Sequence, residues 1–401
     1  MDNASTSQHN ILVLGGGPSG LSTALHLAKH FPHLTDRILI LEKEHYPRQK
    51  LCAGGLVADA EIILQRLGLD VSEVPHVDAA TAHFDFAGKG LTLSMPRTHT
   101  IRVIRRDEFD AWLAEKARSR GIEIKEGVTI KNIKPREEDV IVETNQGTLT
   151  AQVVVGADGS NGVTRHCVLP NARVNTARVL EVLTPSDPLR PVGTSPKRSA
   201  FGGGREKVAF FDFSPVPDNI AGYVWDFPTQ IKGQPRRCWG IYDTNLLASE
   251  SRPALRQLLA QEMARQGFDS DEYEIKGHPI RWFSPRTLMS VPRVLLVGDA
   301  AGADAIFGEG ISMALAYGAL AAREIGEAFG RGEFSFRGYR ARVLFSPLGQ
   351  TLMARWFIAH VIYPLKWRWF QILLWRGLKP FVVAGAWIFV LNWGKRLHEA
   401  K

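Results

Sequence analysis

Cysteine is scarce: Cys52, Cys167 and Cys238 are the only three in 401 residues. An odd, sparse set builds no disulfide framework, so a reducing compartment is expected rather than secretion. The opening MDNASTSQHN has no basic n-region and no apolar h-region, which argues against a signal peptide. The twelve histidines show no H-E-x-x-H and no paired Cys/His spacing, so no metal site is expected. No G-x-S-x-G and no G-x-x-x-x-G-K-[ST] occurs, which removes the corresponding hydrolase and P-loop chemistries. Internal repeats and low-complexity tracts are missing too. Charge of one sign is missing over most of the chain. The net charge is +8, but residues 351–401 hold eight Lys or Arg against one acid, Glu399, and so carry +7 of it. A basic surface for nucleic acid is therefore not expected.

What is there suits a large core. The chain is 45% hydrophobic and 22% charged, enough for two domains or one with insertions. Ile11 to Leu14 reads as a buried parallel strand. Gly15-Gly-Gly17-Pro18-Ser19-Gly20 follows, then a helical stretch from Leu21 to Phe31 and a second strand from Arg37 to Leu41 that ends at Glu42. This is a βαβ unit. Its G-x-G-x-x-G sits where a dinucleotide fingerprint must sit. Gly15 allows the tight turn, Gly17 lets the backbone approach a pyrophosphate, and Gly20 allows close helix–strand packing. The helix N-terminus offers free N–H donors to phosphate. Glu42 is placed to accept from a ribose hydroxyl pair. Further helices are expected over Leu56 to Leu67, Asp107 to Ser119 and Gly310 to Phe329. Many short β-like runs with Pro and Gly between about 171 and 285 suggest an antiparallel sheet.

Two later strand-to-turn elements resemble one superfamily. Val154-Val-Gly156-Ala-Asp158-Gly159 and Val297-Gly298-Asp299-Ala-Ala-Gly302, with Gly308-Glu309-Gly310-Ile311, resemble the DG and GD motifs of aromatic-hydroxylase-type FAD oxidoreductases. The resemblance implies FAD, with Asp299 at its ribityl or pyrophosphate region and the Gly310-Ile311 helix start near the flavin edge. Arg106, in Arg106-Asp-Glu-Phe109-Asp110-x-x-Leu113, matches a segment whose Arg approaches the FAD phosphates or ribityl chain; a solvated helix-start arginine is the alternative. Lys43, Ile130 and Gly308 complete the implied FAD contacts. Pro47-Arg48-Gln-Lys50-Leu-Cys52-Ala53-Gly54-Gly55 is similar to the P-x-x-K-x-C-x-G-G loop of geranylgeranyl reductases, flavoenzymes that reduce prenyl double bonds. Lys50 can offset negative charge, Ala53 lies in the same loop, and Cys52 is either a proton donor or a packing residue. Tyr223-Val-Trp225-Asp-Phe227-Pro228 resembles the Y-x-W-x-F-P motif of those reductases. Alternation puts Tyr223, Trp225 and Phe227 on one strand face, which suits an apolar substrate pocket or a sheet core. Thr229 stands where that family commonly has Lys.

The expected fold is α/β: a Rossmann-like FAD-binding domain (8–75, 101–170 and 286–345) with an inserted antiparallel β-sheet substrate domain (76–100 and 171–285) and a helical C-terminal tail (346–401). The resemblance implies a reductase of isoprenoid C=C bonds, with NAD(P)H as one electron donor that would dock without its own βαβ domain. A monooxygenase or halogenase, and a prenyl-lipid carrier without turnover, are the alternatives. Six of the ten tryptophans (Trp356, Trp367, Trp369, Trp375, Trp387 and Trp393) lie in the tail among Lys366, Arg368, Arg376 and Lys379. Trp with Lys and Arg marks a membrane interface. The longest uncharged run there, Phe381 to Trp393, would rise about 20 Å as a helix, short of a ~30 Å hydrocarbon core. Amphipathic helices on a membrane surface through 351–396 are expected, at the cytoplasmic side. Packing on the FAD domain or a partner copy, and a tilted span, remain open.

Overall fold

The computed structural model describes residues 9–88, 90–95, 98–186, 207–247, 254–387 and 391–397; Glu399 and Lys401 of the basic tail lie outside them. The architecture is α/β. The apolar runs Ile11–Leu14, Ile38–Leu41 and Val153–Gly156 are buried along their whole length and sit side by side in a six-stranded sheet. Strands buried on both faces pair in parallel here, as such runs require. Glu123–Lys125 closes one edge, and Val294–Leu296 with the antiparallel Ser290–Val291 closes the other. Helix Pro18–His30 packs against helix Ile311–Arg331. Gly318 permits the approach, since a Cβ there would lie 2.5 Å from Ser22 Oγ.

The helix expected from Leu56 begins at Ala58, because Gly55–Leu56 pairs with Ile101–Ile104, which also pairs with His76–Ala79. The third helix runs Arg106–Arg118. The second large sheet has seven strands in the order Lys276–Trp282, Asn175–Pro185, Gln234–Asp243, Gly222–Ile231, Val208–Asp212, Thr81–Asp85, Leu91–Ser94. It is antiparallel except where Val208–Asp212 meets Thr81–Asp85 in parallel. That pair joins two separate excursions of the chain, so no hairpin dictates its direction.

The tail folds onto both halves. Helix Pro347–Ile362 buries Leu348 and Leu352 in the core of the six-stranded sheet, and Ala359 against the aromatic core of the seven-stranded one. Trp393 is fully buried and Trp375 nearly so, so these two are core residues rather than interface markers. Trp367, Trp369 and Trp387 stay exposed. Among the described residues no helix is long and apolar enough to cross a membrane.

Candidate functional site

The three glycine-rich turns, nearly 300 residues apart in sequence, border one cavity of about 1320 Å³. At the first turn Gly15 has φ +109°, and a Cβ there would lie 2.5 Å from Ala157 O. Gly20 stays outside the cavity: a Cβ would lie 2.1 Å from Gly15 O, so this glycine seats the helix on its strand. Gly17, Pro18 and Ser19 line the cavity. The helix start has no side-chain cap and no acid in its first turn, which leaves its N–H donors for an anion.

Glu42 is buried at the end of its strand. Its carboxylate accepts from Gly16 N at 2.9 Å and Glu44 N at 3.1 Å, and Arg48 Nε lies 3.3 Å away. Asp110 is fully buried and gathers two arginines: Arg106 bidentately at 2.8 Å, and Arg48 at 3.1 Å. Arg48 was missed as a site residue. Its signal was its place two positions before Lys50 in a loop rich in glycine. Lys43 is on the rim, 3.6 Å from Glu44, and Ile130 lines the same end.

The DG and GD turns meet. Asp158 Oδ2 accepts from Thr164 N at 2.8 Å and Thr164 Oγ1 at 2.9 Å, while its Oδ1 is buried without a hydrogen-bond partner. Gly159 lies beside it on the cavity wall. Ser160 Oγ donates to Asp299 Oδ2 at 3.3 Å. Gly298 sits at φ +58° and does not line the cavity; a Cβ there would strike Ser19 Oγ at 2.6 Å. Gly308, Gly310 and Ile311 lie beyond Asp299, and at the start of helix Ile311–Arg331 the Glu309 carboxylate accepts from Ser312 N at 2.9 Å. Two arginines and the uncapped start of helix Pro18–His30 around one cavity fit a dinucleotide that carries a diphosphate.

Past these turns the cavity crosses the Cys52 loop. Lys50 Nζ is 2.8 Å from His278 Nε2. Burial lowers the pKa of both, and the neighbouring Lys50 charge adds to the effect on His278, which falls to about 4. Cys52 Sγ accepts from Gly54 N at 3.4 Å, and burial raises its thiol pKa against the pull of Arg106. Ala53 lines the same stretch. The remaining arm is aromatic. Tyr223, Trp225 and Phe227 face it from one strand, with Phe211 5.0 Å from Phe227 and 4.7 Å from Phe84, and Phe213 4.7 Å from Trp375. Tyr223 Oη donates to Phe307 O at 2.5 Å. Pro228 does not belong with them. Side chains alternate along Gly222–Ile231, and the even-numbered Val224, Asp226 and Pro228 lie on the opposite face. Glu181 also lines the cavity, and burial pushes its carboxyl up to about 7. Its signal was an acid within the apolar run Val179 to Leu183.

The chain matches the FAD binding domain family over residues 8–308. It is 26% identical over 348 residues to digeranylgeranylglycerophospholipid reductase 2 of Methanosphaera stadtmanae, covering 81% of this chain and 80% of the relative. Among solved structures it is similar to a geranylgeranyl bacteriochlorophyll reductase-like protein of Thermoplasma acidophilum, with TM-score 0.68 and 21% identity over 90% of this chain and 89% of that one. It also shares its fold with a point mutant of halogenase PltM in complex with FAD, at TM-score 0.64 and 13% identity over 89% of this chain and 76% of that one. With the three turns, the uncapped helix start and the paired arginines around one cavity, that match places the chain in the FAD binding domain family, as an FAD-dependent oxidoreductase similar to geranylgeranyl reductases.

Proposed function

We propose that this oxidoreductase reduces carbon–carbon double bonds of a prenyl lipid taken from a membrane surface. The carrying observation is the cavity's continuity. It runs from the FAD turns, past Cys52, into an arm walled by Phe84, Phe211, Phe213 and Trp375, and reaches Phe381 and Trp387 in the tail. A long apolar arm suits a chain-shaped hydrocarbon and excludes water from it. When bound and reduced, FAD supplies the hydride. The protein's work is to hold the prenyl chain with one double bond beside the Cys52–Gly55 loop and to deliver a proton there.

The test is anaerobic. Reduced, FAD-loaded protein is mixed with prenyl lipids and the flavin absorbance is followed. Reoxidation with formation of the saturated lipid is expected. Reoxidation that waits for oxygen, with an oxygen atom or halogen in the product, would replace this reading with a monooxygenase or halogenase.

A further inference from the structure

Saturating a double bond takes a hydride at one carbon and a proton at the other. In a water-excluding arm the proton has to come from a side chain. Among the protonatable groups that line the cavity, four stand at or beside the Cys52 loop: Cys52 itself, Tyr223, Lys50 and Glu181. The Cys52 thiol is pushed away from neutrality by burial, and Arg106 only partly offsets this. Tyr223 Oη is committed to Phe307 O, and burial raises its pKa far above neutrality. Lys50 is bonded to His278. Glu181 is the fourth.

Its position is distinctive. In the sheet, Glu181 stands between Lys276 and Gly240, with Trp225 one strand further in the same row. Gly240 contributes no side chain, and the Trp225 ring lies over it: a Cβ at 240 would be 2.0 Å from Trp225 Cζ2. The carboxyl therefore stands at the end of the aromatic row, where the arm meets the Cys52 loop. Glu181 is only 8% exposed, and its Oε2 is buried without a hydrogen-bond partner. The groups facing it are the Cys52 N–H from the loop, the Cys238 thiol from the adjacent strand, Lys276 from the other adjacent strand, and Arg105. Burial outweighs them all and raises the carboxyl to about 7, where an acid both holds its proton and gives it up readily.

We propose that Glu181 is the catalytic acid, delivering its carboxyl proton to the substrate carbon next to the one that takes the hydride. The inference rests on the reductase reading. Bound, reduced FAD would supply the hydride and with it the electron pair of the first new C–H bond. The alkene π pair takes the proton and forms the second. The Glu181 O–H bond breaks, its pair stays on the carboxylate, and a proton from solvent restores the acid between turnovers.

Glu181→Gln keeps the shape and removes the proton. In full-length, FAD-loaded protein the variant should keep its flavin content and absorbance. Anaerobic reoxidation by a prenyl lipid should slow at least about 100-fold, and Glu181→Asp should recover part of the rate. Infrared difference spectra of the wild-type protein between about pH 5 and 9 should show a carboxyl C=O band lost near neutrality and missing from E181Q. An E181Q variant that turns over like wild type, or a wild-type protein without that band, overturns the role of Glu181 alone. A wild-type protein that leaves all prenyl lipids unreduced overturns the reductase reading and takes this step with it.

Discussion

At the scale of single residues, two groups in the cavity pull stability in opposite directions with pH. Glu181 keeps its proton to about pH 7 when folded, against a usual value of 4.5. Between those values the folded chain binds more protons than the unfolded one, so stability falls as pH rises through that window. His278 drops to about 4 from 6.5, so the folded chain binds fewer protons there and stability rises with pH. Comparing E181Q with wild type isolates the first term. The variant should be more stable by up to about 3 kcal/mol at about pH 8 and little changed near pH 4, measured by urea unfolding. The first turn offers a second residue-scale prediction. Gly15→Ala would place a methyl group 2.5 Å from Ala157 O at a φ of +109°, so the protein should lose its flavin on desalting while wild type stays yellow. Gly15, Gly17 and Gly20 were legible in sequence because a strand, a turn and a helix in fixed spacing leave glycine little choice of role. Glu181 was not, because an acid within an apolar run faces a cavity or solvent according to strand order, which the local sequence does not carry. Pro228 shows the same limit within one motif: the pattern placed it beside three pocket residues, and the pleat turned it away.

At the scale of elements, helix Pro347–Ile362 is tied to the turn that carries the late glycines. Buried Arg355 lies 2.9 Å from Asp304 and 3.1 Å from Glu309, and Asp304 also accepts from Ile306 N at 2.7 Å and Phe307 N at 3.2 Å. Removing the cation leaves a buried carboxylate uncompensated, which costs about 3–5 kcal/mol. Arg355→Met should therefore destabilise the protein by that order in urea unfolding and loosen flavin retention, because Glu309 lies between Gly308 and Gly310. Adding Asp304→Asn should restore much of the stability, since the stranded charge is gone. The tail's composition could not show this bond. Trp and Arg serve a membrane face and a protein core alike, and only the packing tells that Trp393 and Arg355 belong to the core while Trp367 and Trp369 do not.

At the scale of the whole molecule, the exposed large apolar side chains concentrate in the tail. Among the described residues, nine of eleven lie between Phe345 and Trp387, including Phe345 at 82%, Phe381 at 74% and Trp369 at 64%. Arg368, Arg376 and Lys379 are exposed among them. Apolar rings with cations around them suit an anionic lipid surface, and Phe381 and Trp387 belong both to this face and to the cavity lining. Deleting the tail would be a poor test, because Leu348, Leu352 and Trp393 complete the core. Substituting only the outer face keeps the fold. Trp367→Ser, Trp369→Ser and Phe345→Ser together remove three exposed rings that lie outside the cavity, each worth about 1 kcal/mol at a lipid surface, so affinity for anionic vesicles should fall about 100-fold in a flotation assay. Turnover of prenyl lipid in vesicles should fall with it, while turnover of the same lipid in detergent should hold. Equal binding by the variant and wild type would mean that this face meets something other than a bilayer.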